Sequence, residues 1–358
     1  MKFKLFIPLI LLILILAFIS VSCANQKIKV ALFTNLEKAS EIGESEVSMF
    51  KLYFKLNPKS KIKAEVFNDG WDKTLVHNAL NKMLKRKIKF LITTHTSTAA
   101  NEIAEDINKN KILNIVLGAT TTNLSGKDDF HIRLINDVEE EQKKIANYIN
   151  SLPDSNLLLL IDDVNKGYTF LAKEYFKNSS NKDKIYEIYF DANNFEIESI
   201  DKSIGSLKYD LAYFIVGGGN SKIAAIAQLI YKKNSKVKIV FTPWVISKKL
   251  LDLLGPAKDS AIFSSFIPLI ERSEKLNIIK NSFLKEYGFY PTNLSYKIYE
   301  ALQILDFAFE NGKFDPIDVK AFLLNQDSIE TYFESVKFDR FGDFKSDLFF
   351  FNDLSQFY

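Results

Sequence analysis

Three clusters of small and hydroxyl-bearing residues stand out in the chain: Thr93-Thr-His-Thr-Ser-Thr98, Gly118-Ala-Thr-Thr-Thr-Asn123 and Gly217-Gly-Gly-Asn-Ser221. Hydroxyls and helix N-terminal amides hold carboxylates, while a backbone carbonyl and a threonine oxygen accept from an ammonium. The same residue types close turns and cap helices, so at this level both readings stay open. Bond-breaking chemistry is poorly served. The three histidines, His77, His95 and His131, form no pair at metal-ligand spacing, and Cys23 is the single cysteine. No G-x-S-x-G elbow, P-loop or metal-protease motif occurs, and Gly217-Gly-Gly219 lacks the rest of a dinucleotide fingerprint. His95 beside Ser97 resembles a nucleophile–base pair, but neighbouring positions at a strand end more often point to different sides. The expectation is a binding protein without reaction, metal or cofactor.

Each cluster follows a run that reads as a buried strand, and those strands recur. Ile28–Phe33, Lys63–Phe67, Phe90–Thr94, Ile112–Val116, Leu157–Ile161, Ile185–Phe190, Leu211–Val216, Lys236–Phe241 and Ala261–Phe266 are strand candidates. Helical stripes lie between them: Val47, Phe50 and Phe54; Ala99, Ile103 and Ile107; Ile223, Ala227 and Ile230. Alternation of this kind predicts an α/β fold with parallel sheets covered by helices, and continuous runs such as Leu157–Ile161 suit strands buried on both faces. The strands are too many for one small sheet, so two lobes are expected. In open α/β sheets ligands bind at the carboxyl ends of strands, where all three clusters fall. After Phe266 the pattern turns helical, over 278–287, 293–310 and 316–324. The tail, 336–344 and 348–351, reads as a late hairpin.

The N-terminus reads as an export signal over residues 1–22. MKFK supplies the positive start, Leu5 to Ile19 the apolar core, and Ser20-Val-Ser22 the small residues before Cys23. A lone cysteine there resembles a bacterial lipobox, with Cys23 lipidated and anchoring the exported protein to a membrane, although Ser20 stands where lipoboxes usually carry Leu. Loss of Lys2 and Lys4 takes the 47 basic residues to 45 against 44 acidic ones, which leaves no electrostatic footprint for nucleic acid. With one cysteine no intramolecular disulfide forms, and stability rests on the core.

The collinear series Thr96-Ser-Thr-Ala-Ala-Asn-Glu-Ile-Ala104, Ile112–Leu117, Gly118-Ala-Thr120, Leu124–Phe130 and Ile132-Arg133 resembles the type I periplasmic solute-binding proteins of ABC importers. The closest branch is the leucine/isoleucine/valine-binding one. Phe283–Pro291, Tyr299-Glu-Ala-Leu302 and Phe338–Asp343 continue the likeness, which covers the chain from Lys27 onward. The resemblance implies two Rossmann-like lobes joined by a three-crossover hinge, about 26–135 plus 269–335 and 136–268 plus 336–358. It implies a small solute, plausibly an amino acid or analogue, ABC permease subunits as partners and a periplasmic or cell-surface location. The family's carboxylate- and ammonium-holding positions fall on Ser97, Ala119 and Thr120. For Ser97 the alternative is an N-cap, and for the other two turn closure.

The second lobe departs from the family pattern. Gly167-Tyr168 reverses the usual tyrosine–glycine order, Gly219 replaces a tyrosine, and the acid that would meet an ammonium falls at Trp244. Asp137 is a substitute for that charge or simply the start of a helix. Trp244 lines the cleft or belongs to the core, and Tyr168 lines the cleft or is a partly exposed aromatic at a helix start. A protein-interaction or regulatory role for the same fold is the competing reading, because fold does not fix function.

Overall fold

The computed structural model describes residues 27–37, 40–153, 156–218, 222–268, 273–352 and 358; the signal segment, Cys23 and Gly219 lie outside the described residues. The first half runs β1 (Ile28–Thr34), α1 (Glu41–Leu56), β2 (Ile62–Asn68), α2 (Lys73–Lys85), β3 (Phe90–Thr93), α3 (Ser97–Lys109), β4 (Leu113–Val116) and β5 (His131–Arg133). These strands form a parallel sheet in the order β2-β1-β3-β4-β5. The order reverses between β1 and β3, so their carboxyl ends flank a crevice.

The chain then builds a second unit from α4 (Val138–Asn150), β6 (Asn156–Asp162), α5 (Lys166–Ser179), β7 (Lys184–Phe190), α6 (Ile197–Ile204), β8 (Leu211–Ile215), α7 (Ile223–Lys233), β9 (Lys238–Phe241), α8 (Lys248–Leu253) and β10 (Ala261–Ser265). Helices α9 (Glu274–Tyr287), α10 (Asn293–Glu310) and α11 (Pro316–Leu324) follow, then the short strands β11 (Ile329–Glu330), β12 (Ser335–Val336) and β13 (Phe349–Phe351). The second sheet has the order β13-β10-β9-β8-β6-β7, parallel except for β13 against β10. Strands β3, β4, β8 and β10 are buried along their whole length, polar Thr93, Asn114, Ser264 and Ser265 included.

Helices α9 and α10 return to the first lobe. Tyr53 of α1 packs edge-on against Tyr299 of α10 with centroids 4.8 Å apart, and its hydroxyl donates to Asp306 at 2.7 Å. Helix α10 is buried almost throughout and takes Lys297 inside, where its ammonium meets Glu300 at 2.8 Å and also Glu334. That pairing compensates a charge which would otherwise be costly to bury.

The tail is not the hairpin its sequence predicts. Ser335–Val336 pairs with Ile329–Glu330, and Phe349–Phe351 joins β10. Between them, Arg133 N–H donates to the Gly342 carbonyl at 2.9 Å and Phe344 N–H to the Arg133 carbonyl at 3.1 Å. The chain therefore stays with the first lobe through Phe344 and makes its third crossing before Phe349, beyond the expected boundary at 336. Among the described residues no helix is long and apolar enough to cross a membrane.

Candidate functional site

A cavity of about 1070 Å³ lies between the lobes, at the carboxyl ends of both sheets. From the first lobe Trp71, Thr94, Ser97, Gly118 and Thr120 reach it; from the second come Asp162, Asn165, Tyr168, Trp244 and Ile246. The two sides meet where α3 and α5 begin, since a Cβ on Gly167 would stand 2.9 Å from the Thr98 hydroxyl.

The first wall is built by hydroxyls on strand ends. Thr96 caps α3, accepting from the Ala99 amide at 3.4 Å, so Ser97 is the first helical residue and not the cap. Its hydroxyl has no hydrogen-bond partner among the described residues, and the first amides of a helix have no intrahelical acceptor. Gly118 allows two strand ends to touch: a Cβ there would lie 2.1 Å from the Thr94 carbonyl oxygen. This close approach brings Thr120 onto the same wall, while its carbonyl accepts from the Val138 amide at 2.8 Å. Behind the wall the buried Glu46 takes hydrogen bonds from Thr34 and, at 2.7 Å, Thr94. Burial pushes its carboxyl up to about 8, against the two threonine donors. Asp69 and His95 pair at 2.9 Å, both wholly buried.

The second wall is aromatic. Tyr168 and Trp244 stand edge to face, centroids 6.2 Å apart at 76°, and Trp244 meets Phe266 at 5.2 Å and 57°. Their polar tips turn away from the cavity onto one buried carboxylate. The Tyr168 hydroxyl donates to Glu141 Oε1 at 2.6 Å, Trp244 Nε1 donates to Oε2 at 3.1 Å, and Gln142 Nε2 donates to Oε1 at 2.9 Å. Tyr213 closes the set by donating to Gln142 Oε1 at 2.8 Å. Burial raises Glu141 to about 7, partly opposed by these donors. Asp162 is the one carboxylate residue lining the cavity among the described residues; its Oδ1 accepts from the Val164 and Ala192 amides, each at 3.1 Å, and burial raises its pKa.

The structure thus brings Ser97, Thr120, Tyr168 and Trp244 to one cleft. The Ala119 side chain is packed instead with Ala100, Val116 and Leu124, which leaves only its main chain for any contact. Asp137 does not line the cavity: its carboxylate caps α4, accepting from the Glu140 amide at 2.9 Å and from the Ser125 hydroxyl at 2.8 Å. The acid overlooked in the sequence is Glu141, one helical turn further on.

A family described as periplasmic binding protein matches residues 27–352. Among solved structures the chain is similar to the leucine-binding protein LivK of Thermotoga maritima, with 16% identity, a TM-score of 0.76 and coverage of 90% of this chain and 94% of that one. It is similar to the branched-chain amino acid transporter substrate-binding protein LivJ of Streptococcus pneumoniae in complex with isoleucine (15%, TM-score 0.78, 90% and 95%). A third is a solute-binding protein of an ABC transporter from Rhodopseudomonas palustris with 3,4-dihydroxybenzoic acid (16%, TM-score 0.77, 91% and 92%). No curated protein matches the sequence.

Proposed function

The chain belongs to the periplasmic binding protein family, and from that premise we propose that it is an extracytoplasmic solute-binding lipoprotein of an ABC importer. It captures a small carboxylate-bearing solute, an amino acid or an analogue of one, between its lobes and delivers it to permease subunits. Cys23 carries the lipid that holds it at the membrane. The observation that supports capture best is the first wall: the Ser97 and Thr120 hydroxyls and the start of α3 face one cavity. Helix N-termini favour anions, and hydroxyls donate to them. In this reading Ser97 and Thr120 hold the carboxylate and the Ala119 main chain assists. Closure about the three crossings then buries the solute.

The test is a thermal-shift screen of residues 24–358 against amino acids, small carboxylates, amides and short peptides. A ligand at about 100 times its Kd adds roughly 2.7 kcal/mol of stability. A carboxylate that stabilises the parent clearly more than it stabilises Ser97→Ala or Thr120→Ala supports the reading. No response to any small solute, together with recovery of a defined protein partner, would turn the assignment towards a regulatory module.

A further inference from the structure

The second wall specifies more than shape. Tyr168, Trp244 and Phe266 all reach the cavity, and their steep mutual angles form an aromatic corner rather than a slot. One flat ring cannot stack on three faces set 76° and 57° apart, whereas a rounded group touches all of them. The corner is also electron-rich. Glu141 lies directly behind it, 3% exposed, and receives the Tyr168 hydroxyl and the Trp244 N–H. A carboxylate accepting from a phenol and an indole pushes electron density into both rings, which strengthens their attraction for a cation. Because both polar tips are used on Glu141, they present no acceptor to the cavity. A primary ammonium in this corner would have to find its acceptors outside the three rings, for instance at Asn165 beside Tyr168, whereas a group without N–H donors needs none. Asp162 is an acceptor on the same lobe, and its strand lies roughly 10 Å from the one that leads to Trp244, because β8 runs between them. The two lysines that line the cavity, Lys222 and Lys249, are exposed.

We infer that the aromatic corner of Tyr168, Trp244 and Phe266, backed by Glu141, receives a fully N-methylated ammonium group. The solute is then a zwitterion joining that group to a carboxylate through a short linker. This rests on the reading that the first wall holds the carboxylate, and it assigns the opposite end. Glu141 acts through the two rings and is a positioning and charge-supplying residue, not a ligand contact.

The experiment compares isosteres. Glycine betaine and 3,3-dimethylbutanoate share shape and carboxylate but differ in the charge of the branched group; leucine and benzoate serve as further probes. Binding to the purified exported protein is followed by calorimetry and by tryptophan emission, with Trp71→Phe used to isolate Trp244. The expected result is betaine binding at least ten-fold tighter than its neutral isostere. Glu141→Gln should cut that preference several-fold while leaving the isostere's affinity unchanged. Phe266→Leu, which leaves the carboxylate network intact, should lower betaine affinity more than that of the isostere, so the idea stays testable if Glu141→Gln folds poorly. Equal affinity for the two isosteres overturns the inference, as does tighter binding of leucine that Asp162→Asn abolishes and Glu141→Gln does not. If neither isostere binds but another small carboxylate does, the inference falls and solute capture stands. If no small solute binds, both fall.

Discussion

Each lobe hides a carboxylate without a cation behind its side of the cleft, and the two are furnished differently. Glu46 in the first lobe is served by two threonine hydroxyls, and its Oε1 is buried with no partner. Glu141 in the second lobe has both oxygens satisfied, by a phenol, an indole and an amide. Burial raises both, to about 8 and about 7 from an ordinary 4.5, and the better-served acid is raised less. The contrast teaches that the same burial is opposed to different degrees by the donors around it. The first wall backs onto an acid with one bare oxygen, and the second onto one whose two oxygens are both held.

The largest expected effect probes that difference directly. A carboxyl whose folded pKa is raised adds stability below its unfolded value and loses it as pH rises through the folded value. At about 1.4 kcal/mol per unit, folding gives up on the order of 5 kcal/mol at Glu46 and 3 kcal/mol at Glu141 between acid and pH 9. Urea denaturation at pH 5 and pH 9 should therefore show Glu46→Gln flattening the pH dependence more than Glu141→Gln. The latter also leaves one donor unpaired, which offsets about 1–3 kcal/mol of its gain. Equal pH slopes in both variants and the parent would break the comparison.

Next in size is the use of glycine. Gly118→Ala drives a Cβ into the Thr94 carbonyl and should destabilise by about 3 kcal/mol. At Gly218 in the second lobe, nothing lies within 4 Å of an added Cβ, so Gly218→Ala should change the urea midpoint by less than about 0.5 kcal/mol. A smaller effect separates ligand contact from scaffold. Thr120→Ala should weaken solute binding about ten-fold, or 1.4 kcal/mol, with little change in midpoint. Asp137→Ala should do the reverse: about 1 kcal/mol of stability lost with the α4 cap, and affinity unchanged in the same titration. An affinity loss at Asp137 would return it to the ligand site.

Much of the fold was legible because its signals are local. Unbroken runs such as Leu157–Ile161 and helices such as 293–310 and 316–324 announce themselves within one window. The tail was misread because its pairing is not local: Phe344 bonds to Arg133 and Phe349–Phe351 to β10, and nothing near residue 340 names those partners. The strand β5, His131–Arg133, is too short to show a period. At the site, Ser97 and Thr120 were readable as hydroxyls after strands. Glu141 was not, because the acidic start of α4, Glu139 to Glu141, reads as a solvated first turn that the helix dipole favours. The signal was helical phase: Val138, Glu141, Gln142, Ile145 and Ile149 fall on one face, and all five are buried. An acid in phase with valine and isoleucine is the trace a buried network leaves in sequence.

The contact between Thr98 and Gly167 has a consequence for charge. It brings the starts of α3 and α5 together, and each carries roughly half a positive charge. Two such poles a few ångströms apart repel by on the order of 1 kcal/mol at an effective dielectric near 20. The close approach of Thr98 and Gly167 therefore carries an electrostatic cost, and an anion near both helix starts lowers it.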